Sequence, residues 1–244
     1  MPIAWKVTLA ALVMVVSVGC ERRAAPEPVS AAGAVGRSDS PEPSREGGSD
    51  MKTEKLPRPV SEGVMSLEDA IRSRRSRRSF SKRRLTPEEI SGLLFSAAGV
   101  TDPATGKRAA PSAGALYPIE VYAVTPSSIS RYLPEEHALA VVREGDRRGD
   151  LSAAAFGQSS VATAPLSIVL TGVVGRTAAK YGERARRYVL IEAGHMGQNA
   201  LLEATAMGMN GVPVGAFDDA EVERVLGCGV DESALYIICV GPST

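Results

Sequence analysis

The sequence predicts an α+β domain in which one mostly antiparallel sheet is flanked by helices. Segments with strand and helix patterns mix along the chain without a steady βαβ repeat, which argues against a doubly wound parallel sheet. Residues 166–174 form a continuous apolar run of strand length, and this run predicts a buried central strand. No G-x-G-x-x-G motif follows a predicted strand, so the sequence does not support a dinucleotide-binding Rossmann domain.

The amino terminus is expected to be an export signal. Lys6 precedes a short apolar run, residues 7–18, which is too short to span a bilayer comfortably and fits the core of a secretion signal. The run ends at Gly19-Cys20, as bacterial lipoprotein signals do, although Ser17 stands where such signals usually carry leucine. We therefore expect residues 1–20 to be a signal peptide, with Cys20 lipidated if the signal is processed.

Residues 21–62 are rich in Pro, Ser, Gly, Ala, Glu and Arg and contain hardly any large apolar side chains. Such a segment cannot bury enough surface to offset its ordering entropy, so a disordered tether is expected there. The folded domain is then expected at residues 63–244. The predicted location is a membrane-anchored lipoprotein on the periplasmic or outer face, or the cytoplasm if the leader is not a signal.

Three residue pairs predict the amino-terminal cap of a helix: Ser66 with Asp69, Thr86 with Glu89, and Asp218 with Glu221. Pro87 strengthens the second signal because proline is favoured in the first turn. Gly99 and Gly227 are expected to end the second and third helices.

Two further helices are expected at residues 150–158 and 183–209. Small residues recur along the latter and predict a closely crossing helix, within the subunit or across a dimer, with His195 as a packing residue.

Strands are expected at residues 119–125, 137–143, 166–174 and 234–240. The second is expected to pair with the first after a turn near Pro134. Residues 101–110 are polar and predict a loop. Residues 211–217 contain two glycines and a proline and also predict a loop.

Basic residues are concentrated in one place. The chain has 28 basic and 28 acidic residues and no net charge, yet residues 72–84 hold eight basic residues in thirteen positions. Serines lie between the arginines, and this mixture suits a phosphate because guanidinium forks supply charge and hydroxyls supply neutral donors. Taken alone, the run favours a solvated basic face or a patch on nucleic acid or anionic lipid, so the phosphate interpretation depends on the rest of the chain.

The cysteines and histidines predict no metal site. Cys228 and Cys239 do not have the spacing of metal ligands, and His137 and His195 are too scattered to complete a set. Both cysteines are interpreted most simply as packed small hydrophobes. The alternative is a disulfide between them in an oxidising compartment.

Four stretches in chain order resemble the nitroreductase family of flavoproteins, and more closely its SagB-type branch, which includes the azoline (thiazole/oxazole) dehydrogenases. They extend over the whole predicted domain: residues 74–80 (RRSRRSF), 111–118 (PSAGALYP), 180–195 (with KYGER, RY and EAGH) and 212–218 (VPVGAFD). The resemblance implies a nitroreductase-like fold and an intertwined homodimer that binds FMN in a cleft between two subunits.

The resemblance also implies roles for individual residues. The FMN phosphate and ribityl chain would be held by Arg74, Arg75, Ser76 and Arg78. From a second subunit, the flavin ring would be lined by Pro111, Ser112, Ala113 and Ala115. The flavin N5 atom would face a backbone N–H of the segment Gly215 and Ala216. Lys180 and Tyr181 resemble the pair that serves azoline dehydrogenases as base and partner. Ala115 departs from the family, since many relatives carry asparagine there, and the chain lacks the carboxy-terminal basic residues of many nitroreductases.

The implied function is an FMN-dependent oxidoreductase that transfers a hydride at flavin N5. Its substrate would be a small aromatic, quinone, nitro or azoline-like compound, including a modified peptide. NAD(P)H or another electron donor is implied, and export would favour another donor because NAD(P)H is scarce outside the cytoplasm. No nucleic-acid partner is expected. The alternatives are a flavin-binding protein without turnover and a protein that docks its basic patch on a lipid surface.

Overall fold

A computed structural model describes residues 52–59 and 65–244. All of them belong to the second of the two units into which the chain divides, residues 47–244. The predicted signal peptide, Cys20 and most of the predicted tether lie outside the described residues. Within the described ranges, no helix is both long and apolar enough to cross a membrane.

One seven-stranded sheet forms the centre of the fold, in the order β1-β6-β5-β4-β7-β9-β8, and every neighbouring pair is antiparallel. A separate small hairpin joins β2 to β3. The strands are β1 (Thr53–Lys55), β2 (Val100–Asp102), β3 (Lys107–Arg108), β4 (Ile119–Val124), β5 (Ser128–Leu133), β6 (Ala138–Glu144), β7 (Leu166–Gly172), β8 (Met209–Val214) and β9 (Ser233–Pro242).

Seven helices are described around the sheet: α1 (Leu67–Ser73), α2 (Pro87–Ala98), α3 (Arg148–Ala154), α4 (Ser159–Thr163), α5 (Val174–Tyr181), α6 (Ala185–Ala206) and α7 (Asp219–Leu226). Short 3-10 turns lie at Ala113–Ala115 and Gly182–Arg184. This arrangement confirms the predicted α+β class with a mostly antiparallel sheet flanked by helices.

The three predicted caps are present. Ser66 accepts from the Asp69 N–H, and Asp218 accepts from the Glu221 N–H. Thr86 forms a complete capping box, and α2 ends before Gly99 as predicted. The sequence could predict where these helices start, because in each one the N-cap side chain accepts a backbone N–H of the first turn.

The sheet is buried on both faces. In β4, Val121 and Ala123 face one apolar core that contains residues of α2 and α6. Tyr122 and Val124 face a second core that contains residues of α3 and α7. β7 is fully buried, which confirms the predicted central strand.

The predicted pairing of residues 119–125 with residues 137–143 is wrong. β5 lies between β4 and β6, so β6 pairs with β5 and with β1 instead. β5 has the sequence SISRYL, in which serines and an arginine break the apolar pattern that reveals a buried strand. Its identity as a strand comes from its two neighbours in the sheet.

The prediction of a loop at residues 211–217 is wrong for residues 211–214, because β8 occupies Met209–Val214, and it is confirmed for residues 215–217. β8 is the last strand of the sheet, and an edge strand tolerates Pro213 because half of its backbone groups need no partner. Gly211 is required by packing, since a Cβ atom there would lie 2.9 Å from Leu201 Cδ2.

Other boundaries differ from prediction. Residues 101–110 contain most of the β2–β3 hairpin. The helix predicted at residues 150–158 ends at Ala154 in α3, and α4 begins only at Ser159. The long helix was predicted at residues 183–209, whereas α6 spans Ala185–Ala206 and follows the unpredicted α5. β1 lies inside the expected tether, so the folded part begins ahead of the predicted boundary at Gly63.

The structure shows the contacts and burial of the cysteines and histidines. Cys228 and Cys239 are free thiols, so the alternative disulfide is absent, and Cys239 is fully buried. His137 lies 2.8 Å from Ser91 Oγ and 2.7 Å from Tyr132 Oη. His195 is exposed on α6, so within one chain it is not an inward packing residue. The described ranges contain no group of three or more His, Cys, Asp or Glu residues that could hold a metal.

Candidate active site

The arginine run leaves α1 and continues along the edge of the sheet. α1 ends at Ser73, and the Arg74 N–H donates back to Ala70 O. Ser76 then pairs with Gly211 in a parallel bridge, and the Arg77 N–H donates to Gly211 O at 3.0 Å. β8 therefore holds residues 76–77 in an extended conformation beside the strand that leads to Gly215 and Ala216.

The arginines in this run have different partners. Arg75 Nη1 donates to the backbone oxygens of Arg72 and Arg74 at 2.8 Å each, which satisfies carbonyls at the end of α1. The side chains of Arg74 and Arg78, by contrast, make no hydrogen bond or ion pair to any residue in the described ranges. The Arg77 side chain is likewise without a partner in the described ranges, so three guanidinium groups and the exposed Ser76 hydroxyl are available to a ligand along one short segment.

The basic residues that follow have a different environment. Arg83 forms a two-pronged ion pair with Glu89, with distances of 2.9 and 2.8 Å. Lys82, Arg83 and Arg84 line a cavity of about 400 Å³ together with Arg148. None of residues 74–78 lines that cavity, so the run divides into two separate surfaces.

The loop at residues 111–118 has a constrained backbone. Gly114, Ala115 and Tyr117 have φ angles of 65°, 54° and 45°, a region that non-glycine residues avoid. The Ser112 hydroxyl closes the loop by accepting the Tyr117 N–H at 2.9 Å. The Arg108 guanidinium stacks over the Tyr117 ring at 4.4 Å. This loop is held in one shape by its own side chains and by β3.

Lys180 and Tyr181, at the end of α5, lie against this loop. A Cβ atom at Gly114 would be 3.1 Å from Lys180 Nζ and 3.0 Å from Tyr181 Oη. Lys180 is exposed, and its ammonium lies 5.5 Å from the Tyr181 ring centroid. The Tyr181 ring also packs edge-on against Tyr188 at 5.0 Å. The fold therefore places Lys180 and Tyr181, from the 180–195 stretch, in contact with the 111–118 stretch.

Gly215 and Ala216 follow β8 and are exposed. Gln158 Nε2 donates to Ala216 O at 2.8 Å and fixes the backbone of this turn. A Cβ atom at Gly215 would meet no heavy atom within 4 Å, so the turn faces open space.

The predicted site residues fall into two groups within one chain. The first group consists of the arginine segment and the turn after β8, and the second consists of the 111–118 loop with Lys180 and Tyr181. Across the described residues, no hydrogen bond or ion pair joins one group to the other. Among the described residues, the contacts therefore bring the 111–118 loop together with Lys180 and Tyr181 but not with the arginine segment.

Sequence reasoning missed Glu192 as a residue of this region. It is only 4% exposed and lies on the buried face of α6 with Val189, Ala193 and Met196. Burial raises the pKa of Glu192 to about 7, while its hydrogen bond with Ser112 and the charge of Arg108 oppose the increase. A carboxyl group among apolar residues at helical spacing was the signal that could have identified it.

Comparison with known proteins identifies relatives along the chain. The nitroreductase family matches residues 71–242. A protein of Methanocaldococcus jannaschii named as a nitroreductase is 37% identical over 183 residues, which cover 72% of this chain and 91% of the relative. The microcin B17-processing protein McbC of Escherichia coli is 30% identical over 156 residues, covering 59% of this chain and 57% of McbC. The match to McbC thus spans little more than half of that protein.

Solved structures agree with these matches. A crystal structure from Ralstonia eutropha, described as a nitroreductase, has a TM-score of 0.73 and 29% identity and covers 81% of this chain and 92% of its own. The Escherichia coli microcin synthetase McbBCD, with truncated pro-MccB17 bound, contains a chain with a TM-score of 0.62 and 25% identity, and the match covers 78% of each. The chain therefore belongs to the nitroreductase family, a family of oxidoreductases.

Proposed function

We propose that this protein is an FMN-dependent oxidoreductase that acts as a homodimer on a small aromatic, quinone, nitro or azoline-like substrate. The observation that carries the proposal is the division of the arginine run. Within residues 74–78, which lie beside β8, only Arg75 uses its guanidinium on the protein's own backbone, whereas Lys82, Arg83 and Arg84 line a separate cavity.

The residues fit an FMN group in two respects. A phosphate with up to two negative charges would be matched by two guanidinium groups and a hydroxyl. A flat ring system would find little steric hindrance at the turn after β8, where Gly215 has open space on its Cβ side. Bound FMN supplies two-electron hydride transfer at its N5 atom, and the protein positions cofactor and substrate.

The homodimer part of the proposal rests on exposed apolar surface and on the divided site. Leu67 and Ile71 on α1 are 61% and 57% exposed, and Leu190 and Ile191 on α6 are 48% and 46% exposed. Large apolar side chains on two neighbouring helices favour association with another surface. We propose that a second copy on this surface supplies the 111–118 loop that completes the site beside the first copy's arginine segment.

Lys180 and Tyr181 are proposed to handle the substrate proton. The Lys180 amine can accept or donate a proton beside the ring site, and the Tyr181 hydroxyl lies at the same glycine. The SagB-type resemblance favours azoline-like rings among the substrate classes, and the likeness to McbC, a microcin B17-processing protein, favours a peptide that carries them. NAD(P)H or another donor would supply electrons where a substrate is reduced.

Export and lipid anchoring remain proposals that depend on residues 1–20. We propose that Cys20 carries a lipid and holds the domain at the periplasmic or outer face of a membrane. Fractionation of the Cys20→Ala protein checks this, because membrane association that survives the change would mean that another feature holds the protein.

Flavin binding is the decisive test. Purified protein reconstituted with FMN should show the absorbance bands of bound flavin near about 375 and 450 nm. Arg74→Ala combined with Arg78→Ala should lower FMN affinity at least about 100-fold, because each substitution removes a charge-assisted hydrogen bond.

The matched control is Lys82→Ala combined with Arg84→Ala, which removes the same charge from the same run but from the other surface. It should retain FMN within about threefold. Equal losses in the two double variants would mean that general charge, and not a phosphate clamp, attracts the cofactor. No flavin binding by the unmodified protein would overturn the proposed function.

A further inference from the structure

Glu192 is a buried acid that directly adjoins the 111–118 loop. It lines a small cavity of about 10 Å³ with Arg108, Tyr117 and the apolar residues of α2, β4 and α6. A buried carboxyl group is costly unless it is paired or hydrogen-bonded. The Ser112 hydroxyl and the Arg108 guanidinium both favour its charged form, and Arg108 lines the same cavity.

Ser112 connects Glu192 to the fold of the loop. A serine hydroxyl has one hydrogen to donate and two lone pairs to accept with. One lone pair accepts the Tyr117 N–H at 2.9 Å. If the Glu192 carboxylate takes the hydroxyl hydrogen, both functions of Ser112 are used and its orientation is fixed.

The loop needs such a restraint because part of its backbone has a strained conformation. Ala115 and Tyr117 have positive φ angles, each of which is costly for a residue with a side chain. The carboxy-terminal end of the loop is held by β7 and α5, since the Val173 N–H donates to Pro118 O at 2.8 Å and Arg176 Nη1 donates to Tyr117 O at 3.3 Å. The amino-terminal end has Ser112, and through it Glu192.

We propose that Glu192 is a positioning residue of the active site: its carboxylate, bound to Ser112, holds the 111–118 loop in the conformation that places Gly114 against Lys180 and Tyr181. The part that concerns the cofactor rests on the proposed function, whereas the part that concerns the loop does not. The ionisable groups that line the cavity with Glu192 are Arg108 and Tyr117.

The charge of Glu192 matters because a hydrogen bond to a carboxylate is about twice as strong as one to a neutral acid. The loop should therefore be more rigid when Glu192 is ionised. Since its pKa lies at about 7, the change falls near neutral pH. Loop rigidity, and with it the geometry of Lys180, should increase as the pH rises through that value.

Hydrogen exchange of the flavin-free protein tests the loop directly. Glu192→Gln keeps the shape and a neutral acceptor, and it should speed exchange of the 111–118 peptide about tenfold at pH 8. Ser112→Ala should do the same, and the double variant should add little, because both changes break one network. Glu203→Gln on the same helix is the matched control and should exchange like the unmodified protein.

FMN affinity measured from pH 5.5 to pH 8.5 tests the link to the cofactor. The unmodified protein and Glu203→Gln should bind FMN more tightly above pH 7 by about tenfold, and Glu192→Gln should show no such step. Rapid exchange in Glu203→Gln, or unchanged exchange in Glu192→Gln, overturns the positioning role. Failure to bind FMN at all overturns the proposed function alone, since the exchange result stands without flavin.

Discussion

Gly114 and Tyr181 are in close contact: a Cβ atom on the glycine would lie 3.0 Å from Tyr181 Oη, so the tyrosine side chain would have to shift to accommodate it. The glycine also has a φ angle of +65°, so it combines a conformational requirement with a steric one. This contact joins a loop that precedes β4 to the end of α5, which are separated by more than sixty positions in the sequence.

Gly114→Ala is therefore expected to strain the backbone and, in addition, to displace the side chains of Lys180 and Tyr181. Gly106 provides the control, because its φ angle is +68° and a Cβ atom there would meet nothing within 4 Å. Gly106→Ala should lower the free energy of unfolding by about 1 kcal/mol. Gly114→Ala should cost more and should also weaken FMN binding. Equal losses of stability and unchanged flavin affinity would show that the contact is unimportant.

Lys180→Ala should leave FMN bound and should reduce turnover of an azoline substrate by about 100-fold or more, the usual contribution of a general base. Lys180→Arg separates two roles, since arginine keeps the charge but does not give up its proton near neutral pH. Loss of turnover in both variants supports a base, whereas activity in Lys180→Arg supports a cation only. Arg184→Ala, which removes an exposed cation nearby, should have full activity.

The exposed apolar residues of α6 predict the state of assembly. Ile191→Glu should convert a dimer into monomers, because a charge at a buried interface is costly when it has no partner. If the site needs both copies of the chain, FMN affinity should fall as the dimer dissociates. Val230→Glu places the same charge on an equally apolar but fully exposed loop residue and should change neither property. Light scattering with flavin titration measures both, and monomers that bind FMN normally would contradict the shared site.

Glu192 should make stability depend on pH in a defined direction. Burial raises its pKa from 4.5 to about 7, so the folded protein holds this proton more tightly than the unfolded chain. Its contribution to stability is therefore complete below about pH 4.5 and is lost as the pH rises to about 7, a change of roughly 3 kcal/mol.

Glu192→Gln removes this dependence, since glutamine does not titrate. Relative to the unmodified protein, the variant should gain stability between pH 5 and pH 8, as measured by urea unfolding at each pH. A constant difference between the two proteins across that range would mean that Glu192 does not titrate there. A gain in global stability together with a looser loop would show that the charge serves the site at the expense of the fold.

Several features could be predicted because their causes are local. The starts of α1, α2 and α7 are satisfied by side chains within one turn, and β7 is apolar along its whole length. β5 and β8 were missed because each depends on its neighbours: β5 is polar in sequence, and β8 contains a proline that only an edge strand accepts.

The sequence by itself determined the fold class and the helix caps, because residue type and short-range spacing are sufficient for these, and its resemblance to the nitroreductase family identified the four stretches that would bind a flavin. Only the tertiary structure decided how the arginine run is divided, since the partners of Arg75 and Arg83 depend on where α1 ends and where Glu89 lies. It also decided that Gly114 contacts Lys180 and that Glu192 shares a buried cavity with Arg108 and Tyr117. Such contacts arise from packing between distant segments, and no local pattern specifies them.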